Sequence, residues 1–235
     1  MTETRTRFYK VVTTAPAGKG FDISLDGKAV RTPAGRSLVF PTHALAEAAA
    51  EEWRAQGPKI EPRTMPVTKL AYTAIDRVAP NPAQVAAQIL AFGKSDVLCY
   101  RTEVPAELAA REAAAWDPLL EWAAMRYGAA LKTATGIGFV AQPAEALGRF
   151  EGALAGYDDF ALAALHGAAT LLGSLVLALA LAEGRLDAQE AFVLANLDED
   201  YQAARWGRDA EAERRRLSRQ AELVETERFL QLLRV

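Results

Sequence analysis

The stretch "FALAALHGAATLLGSLVLALALA", Phe160–Ala182, decides between two folds. It contains no Asp, Glu, Lys or Arg, and His166 is its one titratable side chain. About 20 predominantly apolar residues suffice to span a bilayer. Much of this segment is Ala, Gly, Ser and Thr, however, and its flanks are acidic (Asp158, Asp159, Glu183) where a membrane anchor favours basic ones. Leu162, Leu165, Ala169, Leu172, Val176 and Leu179 form one helical stripe. Ala163, Gly167, Thr170 and Ser174 form another that lets neighbours approach closely. A helix apolar all round either crosses a membrane or forms the centre of a bundle. The amphipathic segments on both sides need a core to pack against, so the stretch reads as the central helix of a helical domain.

Upstream the pattern changes to β. "RFYKVVTT" is a strand candidate, and "FDISLDGKAVRT" places two short strands around Asp26-Gly27, a strong hairpin signal. Pro33–Gly35 makes a second turn into "RSLVF". A helix follows Pro41, with Thr42 as its N-cap and Gly57 past its end. A proline-punctuated connector leads to a short helix through "VTKLAYTAIDRV". Asn81-Pro82 opens another helix in cap-then-N1 order, and "SDVLCYR" reads as a strand. From Pro105 onward the pattern is helical apart from a less regular stretch, "LKTATGIGFVAQP", with a restart or kink expected at Asp117-Pro118. Asp187 and Glu190 have capping-box spacing, and a charged helix runs from Asp209 to Leu233. The fold class is therefore α+β: a small β-rich N-terminal domain, residues 1–104, and an all-α domain, residues 105–235, with the apolar helix at its centre.

Composition narrows the function. Lys and Arg (27) nearly balance Asp and Glu (30), a net charge of −3 that gives no footprint for nucleic acid or anionic lipid. The lone Cys99 forms no internal disulfide and fits a reducing compartment. It lies among apolar neighbours and reads as an inert buried thiol. His43 and His166 lack partners at ligand spacing, so no metal site is expected. Nucleophile-elbow, Walker and H-E-x-x-H motifs are absent, and "TGIG" is half a dinucleotide fingerprint without its strand–helix setting. No cofactor and no enzymatic activity are expected. The remaining acid–base pairs, Glu199 with Tyr201 or Asp117 with Arg126, would need a concave pocket to act.

"LDEDYQAARWG", Leu197–Gly207, gathers three carboxylates, a tyrosine and a tryptophan. Consecutive helical residues point about 100° apart, so these acids do not converge on one metal or bond. Read as one helix with the preceding residues, Val193, Leu194, Leu197, Tyr201 and Ala204 share the core face. Phe192, Ala195, Glu199, Gln202 and Trp206 lie opposite, with Asp198 and Asp200 on the flanks. Either the final helix buries that second face and one of Arg214–Arg216 pairs with Glu199, or the face is an exposed patch for another protein.

Four stretches together resemble one family. "LDGKAVRTPAGRSLVFPTHALAEAAAEEWRAQ", "MPVTKLAYTAIDRV", "DVLCYR" with "WDPLLEWAAMRYG", and "LDEDYQAARWG" match, in order, the F₁-ATPase assembly chaperones that bind the α subunit of the ATP synthase head. The resemblance implies a non-enzymatic chaperone with a β-rich N-terminal and a helical C-terminal domain, and a monomer is expected. It implies that the protein holds unassembled α subunit, preventing aggregation, until the β subunit replaces it. The family's acidic block falls on Leu197–Gln202 and its Trp-Gly pair on Trp206-Gly207, which makes Glu199, Asp198, Phe192, Gln202 and Trp206 the expected partner-binding residues. The family's Glu-Trp pair falls on Glu52 and Trp53, with Trp53 structural. Arg54 departs from the Asp that commonly follows, and Asp209-Ala210-Glu211 departs from the aromatic and His of mitochondrial members. With no transit peptide read at the N-terminus, a bacterial cytoplasmic member is expected. The rival reading is a generic interaction scaffold with another client.

Overall fold

In the computed structural model, which describes residues 6–136, 138–207 and 209–235, the first turn follows its sequence. Asp26 (φ 49°) and Gly27 (φ 78°) take left-handed backbone in succession, as a tight hairpin between twisted strands requires. The Asp26 carboxylate accepts from the Lys10 and Val11 N–H groups. The turn is thereby tied to the segment before β1 (Val12–Ala17). Three more strands follow, β2 (Gly20–Leu25), β3 (Lys28–Ala29) and β4 (Val39–Phe40). β2 pairs antiparallel with all the others, Thr14 opposite Ile23, Leu25 opposite Lys28 and Phe21 opposite Phe40. Gly20 is needed where β2 meets β4, because a Cβ there would lie 2.2 Å from the Phe40 carbonyl oxygen.

Helix α1 (His43–Arg54) begins where the Thr42 hydroxyl accepts the Leu45 N–H at 3.1 Å. It packs on β1 and β2 with Leu45, Ala46, Ala49 and Trp53 buried. Helix α2 (Pro66–Thr73) runs on into a π turn over Ala74–Val78. Its first turn has no cap of its own. Buried Glu52 of α1 supplies one, accepting the Val67 N–H at 2.7 Å, the Thr68 N–H at 2.8 Å and the Thr68 hydroxyl at 2.7 Å. A carboxylate belongs there, where orphan N–H groups and the helix dipole both favour negative charge. The described chain up to Pro82 forms one compact unit with Asp159–Ala164 and Arg228–Val235. Within that unit Phe160 stacks on Phe229, 6.2 Å between centroids, and tilts against Phe40.

The second unit comprises Ala83–Asp158 and Leu165–Glu227. By contacts the chain thus divides at Pro82, and residues 83–104 group with the helices. Helix α3 (Pro82–Lys94) opens this part of the chain. "SDVLCYR" is mostly not a strand. Asp96 caps a 3₁₀ turn over Val97–Cys99, accepting from Leu98 N–H at 3.1 Å, and only β5 (Tyr100–Arg101) pairs, in parallel, with β6 (Ala134–Thr135). Helix α4 (Ala106–Tyr127) passes through Pro118 without a restart. A proline inside a helix costs about 3 kcal/mol, and the buried face of Trp116, Leu119, Leu120 and Ala123 holds this helix together against it.

The apolar stretch is two helices, not one. After α5 (Ala144–Leu154), helix α6 (Asp159–Leu172) stops and α7 (Leu175–Ala182) restarts. Gly173 takes φ 64°, and the Ser174 hydroxyl accepts the Leu177 N–H at 3.0 Å as a new N-cap. The stripe drawn from Leu162 to Leu179 therefore does not exist as one face. Every residue of α7 is buried, and the Asp96 carboxylate also caps it through the Val176 N–H at 3.0 Å. Among the described residues no helix is long and apolar enough to cross a membrane. The chain ends in α8 (Ala188–Ala195), α9 (Leu197–Trp206) and α10 (Ala210–Leu232).

Candidate partner-binding site

Asp187 and Glu190 form the full capping box that their spacing announces. Each carboxylate accepts the other's backbone N–H, at 2.7 and 3.0 Å. The helix they start is short. Asn196 closes α8, its side-chain amide donating to the Phe192 carbonyl at 2.7 Å and its own N–H to the Phe192 and Val193 carbonyls. Leu197 then begins α9, whose first turn carries Asp198, Glu199 and Asp200. This break dissolves the continuous wheel. Phe192 is fully buried, with the Arg216 guanidinium 5.2 Å from its ring centroid, and shares no exposed face with Glu199.

Asp198 is half-buried, with one carboxylate oxygen facing the interior. Its carboxyl meets that of Glu112 on α4, and Asp198 Oδ1 and Glu112 Oε1 are both buried without another hydrogen-bond partner. Two carboxylate oxygens face each other only with a proton between them. Burial pushes the Glu112 acid up to about 7; the Thr102 N–H on its other oxygen opposes this, and the Asp198 carboxyl adds to it. The Arg101 guanidinium also opposes the rise, but it is engaged by the Leu98 carbonyl and by Asp117 at 2.7 Å. The folded-state value lies above the usual 4.5, so this pair stabilises the fold at low pH and the stabilisation fades as pH rises through neutrality. The melting temperature of the wild type is expected to fall more steeply between pH 5 and 8 than that of Glu112→Gln. Parallel curves would contradict the shared proton.

Glu199, Gln202 and Trp206 remain, all exposed and spaced three and seven residues apart on α9, hence on one face. Trp206 is 77% exposed. Among the described residues Glu199 makes no ion pair, because Arg216 binds Asp200 at 3.0 Å and Arg215 binds Glu211 at 2.9 Å. Opposite this face Tyr201 is buried, its ring under the Arg205 guanidinium at 4.3 Å. The acid–base pairs considered from sequence do not form. Asp117 pairs with Arg101 and Arg126 with Glu183, while the Tyr201 hydroxyl points to Glu107 at 3.4 Å. Cys99 is fully buried, and desolvation pushes its thiol up to about 12. Among the described residues no group of three or more His, Cys, Asp or Glu is placed to hold a metal ion.

A large exposed aromatic on the same face as an acid with no ion pair among the described residues, on a short helix held from behind, has the anatomy of a protein-contacting surface. The sequence pattern of the ATP12 chaperone protein family matches residues 6–124. The chain belongs to that family, the chaperones of F₁-ATPase assembly. Atp12 from Paracoccus denitrificans has the same fold, with 42% identity and a TM-score of 0.94 over 97% of this chain and 98% of that one. The Agrobacterium tumefaciens protein Atu1473 follows at 45% identity and a TM-score of 0.93, over 98% of this chain and 87% of that one. Protein atp12 of Schizosaccharomyces pombe, a mitochondrial protein, is 28% identical over 213 residues, 86% of this chain and 73% of its own length.

Proposed function

We propose that this chaperone, as a monomer, holds the unassembled α subunit of F₁-ATPase and that the Glu199/Gln202/Trp206 face of α9 contacts it. The observation that carries the reading is the exposure of Trp206 on the same face as an acid that has no ion pair among the described residues. Surface that α later buries against β is apolar with a few charges. A holdase must cover such surface with matching chemistry, and an exposed tryptophan with one complementary acid does so. The acid contributes selectivity and encounter rate more than affinity. Release then follows from competition by the β subunit for the same surface.

Light scattering of isolated α subunit, diluted from denaturant with and without the chaperone, tests this. The wild type is expected to suppress aggregation at equimolar ratio. Glu199→Lys is expected to weaken suppression about tenfold or more in concentration required, at unchanged melting temperature, since it reverses a charge facing the client. Unchanged suppression by Glu199→Lys would remove this residue from the contact, and no suppression by the wild type would remove the client.

A further inference from the structure

The sheet unit carries a groove that the α9 face leaves unexplained. Its volume is about 640 Å³, and its apolar wall includes Phe8, Leu25, Val30, Trp53, Ile60 and Tyr72. Phe8 is 70% exposed at its edge. The charged side chains lining it are Lys28 and Arg31, both cations and both exposed. Lys28 has no ion-pair partner among the described residues, and Arg31 donates only to the nearby Gly35 carbonyl.

The other polar groups of the wall point to the same chemistry. The Tyr72 hydroxyl has no hydrogen-bond partner among the described residues, and burial pushes its phenol up to about 12, so it stays a donor at neutral pH. Thr32 is the exception, its hydroxyl already spent on Asp76 at 2.7 Å. A wall of apolar surface, two cations and the Tyr72 hydroxyl is complementary to a ligand with apolar bulk and acceptor oxygens. Charge is partitioned accordingly along the chain. Residues 1–82 carry 12 Lys and Arg against 8 Asp and Glu, whereas residues 83–235 carry 15 against 22.

We infer that this groove docks a short acidic-apolar peptide segment of the client, an aromatic or aliphatic side chain next to Asp or Glu, between the Trp53/Tyr72 wall and the Lys28/Arg31 rim. The inference rests on the chaperone reading for the source of the peptide, but not for the chemistry of the groove. The sheet unit then gives the protein a second contact, of opposite charge preference to the acidic face of α9. Two weak contacts on one client raise the effective affinity through local concentration and let each be displaced separately.

Fluorescence polarisation of labelled decapeptides tests the groove without the α subunit. Three probes are used: Phe and Leu interspersed with Asp and Glu, the same apolar residues with Lys, and Asp and Glu with Ser alone. The acidic-apolar peptide is expected to bind, more weakly as salt is raised, and the other two are not. Lys28→Glu with Arg31→Glu is expected to weaken binding about tenfold or more, because two facing charges are reversed. Both residues are exposed, so the melting temperature serves as the folding control and is expected to hold. Equal binding of the basic peptide, or indifference to the double reversal, would overturn the proposal. So would uptake of dodecanoate in place of peptide, or dimerisation lost in the double variant, since each assigns the groove another occupant. Suppression of α-subunit aggregation by the wild type, measured in parallel, separates failure of the groove from failure of the client assignment.

Discussion

Glu52→Ala is expected to lower the unfolding free energy by about 3 kcal/mol or more, since each buried donor left unsatisfied costs about 1–3 kcal/mol. The carboxylate is the N-terminal cap of α2 supplied from a different helix, and it serves the Val67 N–H, the Thr68 N–H and the Thr68 hydroxyl at 2.7–2.8 Å. Alanine leaves all three without that acceptor in a buried setting. No water replaces it unless the α1–α2 contact opens. Glu52→Gln keeps one oxygen and replaces the other with a donor aimed at donors, so an intermediate loss is expected. Urea denaturation checks both, through the midpoint at constant slope. A loss under about 0.5 kcal/mol for Glu52→Ala, the range of ordinary surface substitutions, would mean that the cap is dispensable.

Phe192→Ala is expected to cost about 3–5 kcal/mol, the range for a phenylalanine removed from a packed core. Its ring is fully buried and lies under the Arg216 guanidinium, which in turn binds Asp200 of α9. Removing it creates a cavity and loosens the support of the acidic helix at once. Trp206→Ala is expected to change stability by no more than about 0.5 kcal/mol, as substitutions of exposed side chains do. Thermal melts of the two variants measured side by side distinguish the arrangement seen here from a continuous aromatic face. Equal and small losses would place Phe192 on the surface with Trp206.

Local signals in the sequence were reliable where a single residue type sets the backbone. Asp26-Gly27 specified its hairpin, Thr42 its helix start and Asp187 with Glu190 its capping box, because each acts over three or four residues. Breaks inside apolar or amphipathic runs were misread. Ser174 reads as part of the small-residue stripe of one helix, yet Gly173 and Ser174 stop α6 and cap α7. Asn196 was passed over as an ordinary helical residue, although the three acids behind it are what the first turn of a new helix favours. Reading the helix through Asn196 put Phe192 on the Glu199 face. Pro118 does not restart its helix, since burial of Trp116 and its neighbours overrides the proline penalty. The Glu112–Asp198 contact was beyond sequence pattern altogether, because no spacing relates α4 to α9 across 86 positions of chain.

The central claim is that the chaperone and the β subunit compete for α. The most direct test is size-exclusion chromatography of a preformed complex of this protein with F₁ α subunit, with β subunit titrated in. The chaperone is expected to leave the complex in proportion to added β and to elute alone, while α elutes with β. A ternary peak retaining the chaperone, or α passing into the void volume whether or not the chaperone is present, would contradict the account.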